Sequence, residues 1–589
     1  MTSRRRFLAM AGAGAAATTA LAACGPGKNA SHPAAGPSLT MPPAPPASSR
    51  PNIVFVFTDQ ERYFDAWPAG ISLPGHERLA TSGVSFGQHY CAATMCTSSR
   101  AVMLTGLQTP DNGMFENADM PYVKAMSTSV PTIGHLLRRA GYYTAYKGKW
   151  HLDAEFNREP VTHVLTERMD AYGFSDFGFP VDSLAHDLGG YTTDAVIGGT
   201  AQSWLRDTGR PMADERKPWA LFVSLINPHD IMYFHTDEPG EHVQDTGKLL
   251  MQAARAPEQA VYQQKWNTSL PANLAQPMTE PGRPAAHGEF DKAWGYVLGN
   301  IPPEPARWQR FTDFYLNSIR TVDQQLTMLL TELDNLALTD NTIVVFTSDH
   351  GEMAGAHGLR GKGPFAYQES IHLPMYVMHP DVRGGQHLNA LTSHIDLVPS
   401  LLSMAGVAPT TAAEYAGRAL PGKDFSGALS DPGKADLHAV RDSVLFTYSG
   451  LATNDSAAVK MFAEAKAAGK NPQQLMQASG FRPDLDKRGS LRTMFDGRYK
   501  FSRYFAPDQR NAPTDLDELY RFNDVELYDL RSDPNEMTNL AANKGDNAEL
   551  VLGRSSEMEA RIKAEIGVDD GREMPKFGDI DWQIDRMDL

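Results

Sequence analysis

Four short runs of continuous apolar residues set the frame: Ile53-Val54-Phe55-Val56-Phe57, Trp219-Ala220-Leu221-Phe222-Val223-Ser224-Leu225, Ile343-Val344-Val345-Phe346 and Met375-Tyr376-Val377-Met378. A strand that is apolar on both faces is buried on both, as parallel strands under crossover helices are. Helical patterns lie between the runs. Over residues 315–336 the apolar residues Tyr315, Ile319, Val322, Leu326, Leu329, Leu330, Leu333 and Leu336 recur every three or four positions, which is one face of a long amphipathic helix. Strand and helix in alternation predict a doubly wound α/β domain over residues 51–430.

After about residue 430 the pattern changes. Residues 443–448, 491–495, 499–504 and 525–530 read as strands, and Asp496-Gly497 is a hairpin-type turn signal. A smaller antiparallel-sheet α+β subdomain with a tail is therefore expected over residues 431–589. With 42% hydrophobic and 21% charged residues among 589, the composition is that of a folded chain. Lys and Arg number 54 against 70 Asp and Glu, a net charge of −16. A nucleic-acid partner needs a basic surface to displace counterions, so that class is set aside.

The first 24 residues read as an export leader. Ser3-Arg4-Arg5-Arg6-Phe7-Leu8 resembles the twin-arginine pattern of bacterial signals. Residues 9–23 are small and apolar, too short to cross ~30 Å of hydrocarbon as a stable helix. Leu21-Ala22-Ala23-Cys24 resembles a lipoprotein box, where cleavage before the cysteine is followed by lipidation of its thiol. Residues 1–23 are expected to be a twin-arginine lipoprotein signal peptide, with a plain signal peptide as the alternative. Residues 24–50, rich in Pro, Ala, Gly and Ser, are expected to be a flexible tether. No other window has ~18 continuous apolar residues, so membrane contact is expected only through the lipid on Cys24. The expected location is the periplasm or cell surface of a bacterium, with the Tat translocon as a transient partner.

The first apolar run ends at Thr58-Asp59-Gln60 and the third at Thr347-Ser348-Asp349-His350-Gly351. Open α/β sheets bind ligands at the carboxyl ends of their strands, so carboxylates far apart in sequence can meet there. Carboxylates with an imidazole suit a divalent cation, and oxygen-rich ligation favours Ca²⁺ or Mg²⁺ over Zn²⁺. Each Asp could equally cap a loop or a helix start. Three cysteines, Cys24, Cys91 and Cys96, are too few for a disulfide scaffold.

Cys96-Thr97-Ser98-Ser99-Arg100-Ala101-Val102-Met103-Leu104-Thr105-Gly106 resembles the signature of the type I sulfatases, in the alkaline phosphatase superfamily. In that family a Cys or Ser, followed by any residue, Pro or Ala, a small residue and Arg, is oxidised to formylglycine. Further likenesses follow in order. They are the stretch from Gly141 through Lys147-Gly148-Lys149-Trp150-His151, then Asn227-Pro228-His229-Asp230, then Ser348-Asp349-His350-Gly351-Glu352 with His357-Gly358 and Lys362-Gly363. Ser393-His394-Ile395-Asp396 and Glu526-Leu527-Tyr528-Asp529-Leu530 complete a match over about residues 51–545. The resemblance implies an alkaline-phosphatase-like mixed, largely parallel sheet flanked by helices, and hydrolysis of a small or glycan sulfate ester. It also implies one divalent cation (Ca²⁺ ahead of Mg²⁺ or Mn²⁺) and a formylglycine-generating enzyme as partner. Twin-arginine export carries folded chains, so Cys96 would be oxidised in the cytoplasm.

The residue types fit that chemistry. A thiol nucleophile would be left holding a sulfonyl group with no easy exit. An aldehyde hydrates to a geminal diol. One oxygen attacks sulfur in line with the leaving alcohol, and the other collapses the intermediate, expelling sulfate and restoring the aldehyde. Position by position, the resemblance assigns Asp59, Gln60, Asp349 and His350 to the metal, with Cys96 as formylglycine. Arg100 and Lys149 would hold and polarise the diol, and His151 would assist elimination. His229 and Lys362 would contact sulfate and help protonate the leaving oxygen, with Lys149 also on the substrate. Asn117, about twenty residues after Cys96, corresponds to an Asn of choline-sulfatase-like and phosphonate monoester hydrolases and would be a sulfate contact. The plainer readings are a solvated lysine and a turn asparagine.

Two departures stand out. Ser98 occupies the place of Pro or Ala, which converting enzymes read, and Gln60 the place of a second Asp. Cys91 is expected to be a small buried residue. Two alternatives are carried: a phosphonate monoester or phosphodiester hydrolase using the same site, against which Lys149 and His151 argue, and a non-catalytic surface lipoprotein binding anionic glycans. Residues 241–300 match nothing recognisable and are expected to shape the pocket. Trp266, Trp294 and Trp308 could line it or belong to the core. The pattern does not choose among alkyl, aryl and sugar sulfates.

Overall fold

The computed structural model describes residues 50–157, 165–178 and 188–576. The leader, the tether and Cys24 lie outside the described residues. The strands in chain order are β1 (Asn52–Asp59), β2 (Val84–Phe86), β3 (His89–Tyr90), β4 (Tyr143–Gly148), β5 (Trp219–Pro228), β6 (Thr342–Ser348), β7 (Met375–Met378), β8 (Gln386–Leu388) and β9 (Thr392–Ser393), then β10 (Val444–Tyr448), β11 (Ser490–Phe495), β12 (Tyr499–Phe505) and β13 (Asp524–Asp529). Among the described residues a seven-stranded sheet runs β4-β5-β1-β6-β7-β2-β8.

The apolar runs account for its centre. β1 pairs in parallel with both β5 and β6, and every residue of these three strands is buried. Helices Gly189–Trp204 and Pro305–Asn335 pack together and against β5. The long helix starts well before the first apolar position read from the sequence, at Pro305, whose fixed φ suits a first turn. One strand corrects the sequence reading: β7, the run Met375–Met378, is antiparallel to both β6 and β2. A parallel return needs a crossover back to the opposite end of the strands. The segment between β6 and β7 holds only short turns, Ala356–Gly358 and Gln368–Ile371, so the chain re-enters from the end at which it left.

β10-β11-β12-β13 form an antiparallel sheet. The strand period of two divides its side chains between two cores. Leu445, Met494, Phe501 and Leu527 face Val551, Met558 and Ile562 of helix Ala548–Glu565. Val444, Phe446, Tyr448 and Leu491 join Tyr90, Cys91, Ile371 and Leu373. Thr447 N–H donates to Ala92 O at 2.8 Å, which ties this sheet to the chain just ahead of Cys96. All described residues belong to one compact body, and none of their helices is long and apolar enough to cross a membrane.

Candidate active site

Adjacent parallel strands bring the two aspartates together. Thr58 of β1 stands beside Ser348 of β6, so Asp59 and Asp349 leave the sheet side by side. Gln60 turns left-handed (φ 77°) and donates its N–H to Asp349 Oδ1 at 3.1 Å. Helix Cys96–Thr105 starts at this pair. Cys96 Sγ lies 3.2 Å from His350 Nε2 and 3.7 Å from Asp59 Oδ1. Arg100, one turn further on, bridges both carboxylates: Nε donates to Asp349 Oδ2 at 2.8 Å and Nη2 to Asp59 Oδ2 at 3.0 Å.

β4 delivers the next pair. At Gly148 (φ 96°) a Cβ would fall 2.0 Å from Ser224 O, so only glycine lets β4 leave this close to β5. Lys149 then donates from Nζ to Asp59 Oδ2 at 2.5 Å, and its carbonyl is held by Tyr146 Oη at 2.6 Å and Arg100 Nη1 at 3.0 Å. His151, also left-handed (φ 59°), places Nε2 3.0 Å from Asp119 Oδ1. At the end of β5, Asp194 accepts from Ile226 N at 2.7 Å and Asn227 N at 2.9 Å. Asp230 accepts from Gly190 N and Tyr191 N, each at 2.8 Å. His229 therefore sits on a strand end pinned on both sides.

Lys362 joins by a relay. Glu352 accepts from Ala354 N at 2.9 Å and Gly361 N at 2.7 Å, which folds the intervening loop. Its other oxygen takes Gln60 Nε2 at 2.5 Å, and Gln60 Oε1 takes Lys362 Nζ at 2.5 Å. Asn117 is half-buried, with Oδ1 3.3 Å from Thr97 N.

Asp59, Arg100, Lys149, Asp349, His350 and Lys362 are each at most 1% exposed. Burial alone would raise the Asp59 carboxyl, but the charges of Lys149 and Arg100 hold it well below the usual carboxylate range. Burial would also weaken the Lys149 ammonium, yet Asp59 and Cys96 beside it push its pKa above the ordinary lysine value. Burial and the Lys149 charge keep His229 neutral, and burial does the same for His350. The Asp119 carboxyl, which burial would raise, is drawn down by the hydrogen bond and charge of His151.

One ligand atom from each of Asp59, Cys96, Asp349 and His350 lies within 4.8 Å of all the others, and all four residues are buried. Two carboxylates and a neutral imidazole around a common point fit a divalent cation. Gln60 lies beside this group with its amide engaged by Glu352 and Lys362. The structure thus gathers Asp59, Gln60, Cys96, Arg100, Lys149, Asp349, His350 and Lys362 into one connected network, with Asn117 against the start of the Cys96 helix. Sequence reasoning missed Asp119 and Asp194, and quoted Asp230 and Glu352 without a role. Only Asp119, two residues after Asn117, carried a usable positional signal. Cys91 and Cys96 are both free and buried, and burial pushes the Cys91 thiol up. Ser98 is buried and its hydroxyl has no hydrogen-bond partner. Trp294 and Trp308 belong to buried clusters, and Trp266 is half-buried with its ring N–H on Asn317 Oδ1 at 2.9 Å.

The fold and the buried metal-type cluster are those of a hydrolase acting on sulfuric esters. The sulfatase family model matches residues 51–407, and the chain belongs to that family. Choline-sulfatase of Rhizobium meliloti (strain 1021) is 28% identical over 389 residues, which cover 61% of this chain and 68% of that protein. Among solved structures, BT4656 in complex with its substrate D-glucosamine-2-N,6-O-disulfate superposes with a TM-score of 0.60 at 20% identity, covering 89% of this chain and 99% of that one. The phosphonate monoester hydrolase of Silicibacter pomeroyi superposes at 0.58 with 19% identity, covering 88% and 96%. At such identities these two likenesses establish the fold alone.

Proposed function

We propose that the chain cleaves an organic sulfate monoester to an alcohol and sulfate, using formylglycine made by oxidising Cys96. The observation that carries this reading is the convergence of Cys96 with Asp59, Asp349 and His350 inside a ring of buried cations. Asp59, Cys96, Asp349 and His350 would hold a divalent cation, joined by the second lone pair of Gln60 Oε1, whose first accepts from Lys362. When bound, such an ion supplies Lewis acidity at position 96, and Ca²⁺ is the proposed ion, ahead of Mg²⁺ or Mn²⁺.

The chain's own residues divide the remaining work. Arg100 bridges both aspartates and keeps them aligned. Lys149 and Arg100 stabilise negative charge at position 96 and on the sulfuryl oxygens. The hydrated aldehyde presents one hydroxyl to sulfur. His151, oriented by Asp119, takes the proton of the other hydroxyl as sulfate is expelled. Lys362, aimed by Gln60 and Glu352, and His229 face the substrate, where Lys362 protonates the departing oxygen. Asn117 contacts the sulfuryl group. Against a net charge of −16, these cations provide the local focus that an anionic substrate needs.

We further propose export through a twin-arginine leader, lipidation at Cys24, and a division into a catalytic domain (51–430) and a C-terminal subdomain (431–589). Cys24→Ser should move the protein from the membrane to the soluble fraction, and unchanged membrane retention would refute the anchor. The class of ester is tested by comparing 4-nitrophenyl sulfate with a phenyl phosphonate monoester. Faster turnover of the sulfate is expected. A clear preference for the phosphonate would reverse the reading.

A further inference from the structure

A second acid–imidazole group gathers around His357, on the loop that joins the metal-type cluster to Lys362. A ring nitrogen of His357 and one oxygen each of Glu369 and Glu536 all lie within 4.8 Å of one another. His357 and Glu536 are 1% exposed, and Glu369 is half-buried. We propose that His357, Glu369 and Glu536 form a second, structural divalent-cation site, of a chemistry suited to Zn²⁺.

The hydrogen bonds fix the tautomer that a metal requires. Gln276 donates from Nε2 to Glu280 Oε2 at 2.6 Å, so its Oε1 is an acceptor. That oxygen lies 2.7 Å from His357 Nδ1, which must therefore carry the ring proton. Nε2 is left with a bare lone pair, and this buried atom has no hydrogen-bond partner. The ring cannot easily turn away, since it stacks on Tyr367 at 3.6 Å and 10°. An imidazole whose other N–H is held by an oxygen is the usual arrangement of a metal-ligating histidine.

Charge points the same way. Lys500 Nζ lies 2.6 Å from Glu536 Oε1 and donates to Ala366 O at 2.7 Å, so it balances one carboxylate. Gln368 N–H occupies Glu536 Oε2 at 2.9 Å. The Glu369 charge and the His357 lone pair are left to face an added cation. One imidazole and two carboxylates, with a water on the exposed side of Glu369, satisfy four-coordinate Zn²⁺. The ion would clip the Lys362 loop (His357), the short helix Gln368–Ile371 (Glu369) and the segment after β13 (Glu536).

The test uses the full chain carrying Asp59→Asn and Asp349→Asn, so that the first cluster no longer competes. After chelator stripping, Zn²⁺ loading and dialysis, elemental analysis should find one Zn²⁺ per chain, with a raised Tm. Adding Glu369→Gln should abolish both the retained Zn²⁺ and the Tm gain, and His357→Gln should do the same. Zinc-edge anomalous scattering from the loaded protein should peak between the three side chains. No retained Zn²⁺ in the double variant, or retention and a Tm gain unaffected by Glu369→Gln, would overturn the proposal. Because Glu369 is half-buried on a short helix, its variant decides the matter even if His357→Gln fails to fold.

Discussion

The two acid–imidazole groups flanking the loop 349–369 are built differently. Around Asp59, Asp349 and His350, the chain supplies its own cations: Arg100 bridges both carboxylates and Lys149 adds a third contact. Around His357, Glu369 and Glu536, Lys500 pairs with one carboxylate and Arg283 Nη2 donates to the His357 carbonyl at 2.7 Å, but no cation bridges the two carboxylates among the described residues. The first group is electrostatically balanced before any ligand arrives, so its geometry is part of the fold. The second keeps a lone pair and a carboxylate in reserve. A catalytic centre must be preorganised at its full charge, whereas a clip need only close when filled.

The contrast can be broken most sharply at Asp349. Asp349→Asn should lower kcat for 4-nitrophenyl sulfate by about 10³-fold, the scale of removing a preorganised electrostatic contact. Activity within tenfold of the parent would remove Asp349 from the chemistry. Arg100→Met should expose the same design through stability. It leaves two buried carboxylates without their bridge, at a cost of about 3–5 kcal/mol in urea unfolding. A loss below about 1 kcal/mol would show that the balance lies elsewhere.

Asp119→Asn should sharpen the account of His151. It keeps the shape but removes the charge at 3.0 Å from Nε2. Turnover should fall about 10-fold to 100-fold, because His151 loses the carboxylate that orients it for proton transfer. Activity within about twofold of the parent would remove Asp119 from the chemistry.

Glu116 provides a pH test of the wall beside Asn117. Burial pushes its pKa up to about 7, although Leu451 and Ala452 N–H and Tyr122 Oη all donate to it. The folded state therefore binds this proton more tightly than the unfolded state does. Stability relative to Glu116→Gln should fall as pH rises from about 4.5 to 7, and level off above. Parallel Tm curves for the two proteins between pH 5 and about 8 would contradict that sign. The smallest expected effect is at Ser98. Its buried hydroxyl has no partner, so Ser98→Ala should raise stability by about 1 kcal/mol and increase the aldehyde fraction at position 96. A less stable variant would show that the hydroxyl is satisfied in solution.

Much of this site was legible because strand ends are legible. Asp59 and Asp349 close apolar runs, and parallel neighbours deliver strand ends to one edge. Lys149, His151, His229 and Lys362 followed from motif order. The direction of β7 was not legible, because four apolar residues carry no sign and the turning of the loop before them decides it. Nor was the pairing of Gln60 with Glu352 and Lys362: the sequence offered Gln60 a metal, and only the three-dimensional path of the loop 352–362 shows its amide already engaged. The partnership of Asp119 with His151 depends on the left-handed turn at His151, which a non-glycine residue does not announce.

The most direct measurement is the mass of the peptide containing position 96, taken from a preparation assayed on 4-nitrophenyl sulfate. The account predicts an aldehyde at position 96, turnover in proportion to the aldehyde fraction, and loss of both in Cys96→Ala. A fully alkylatable Cys96 thiol in protein that still turns over the ester would contradict it.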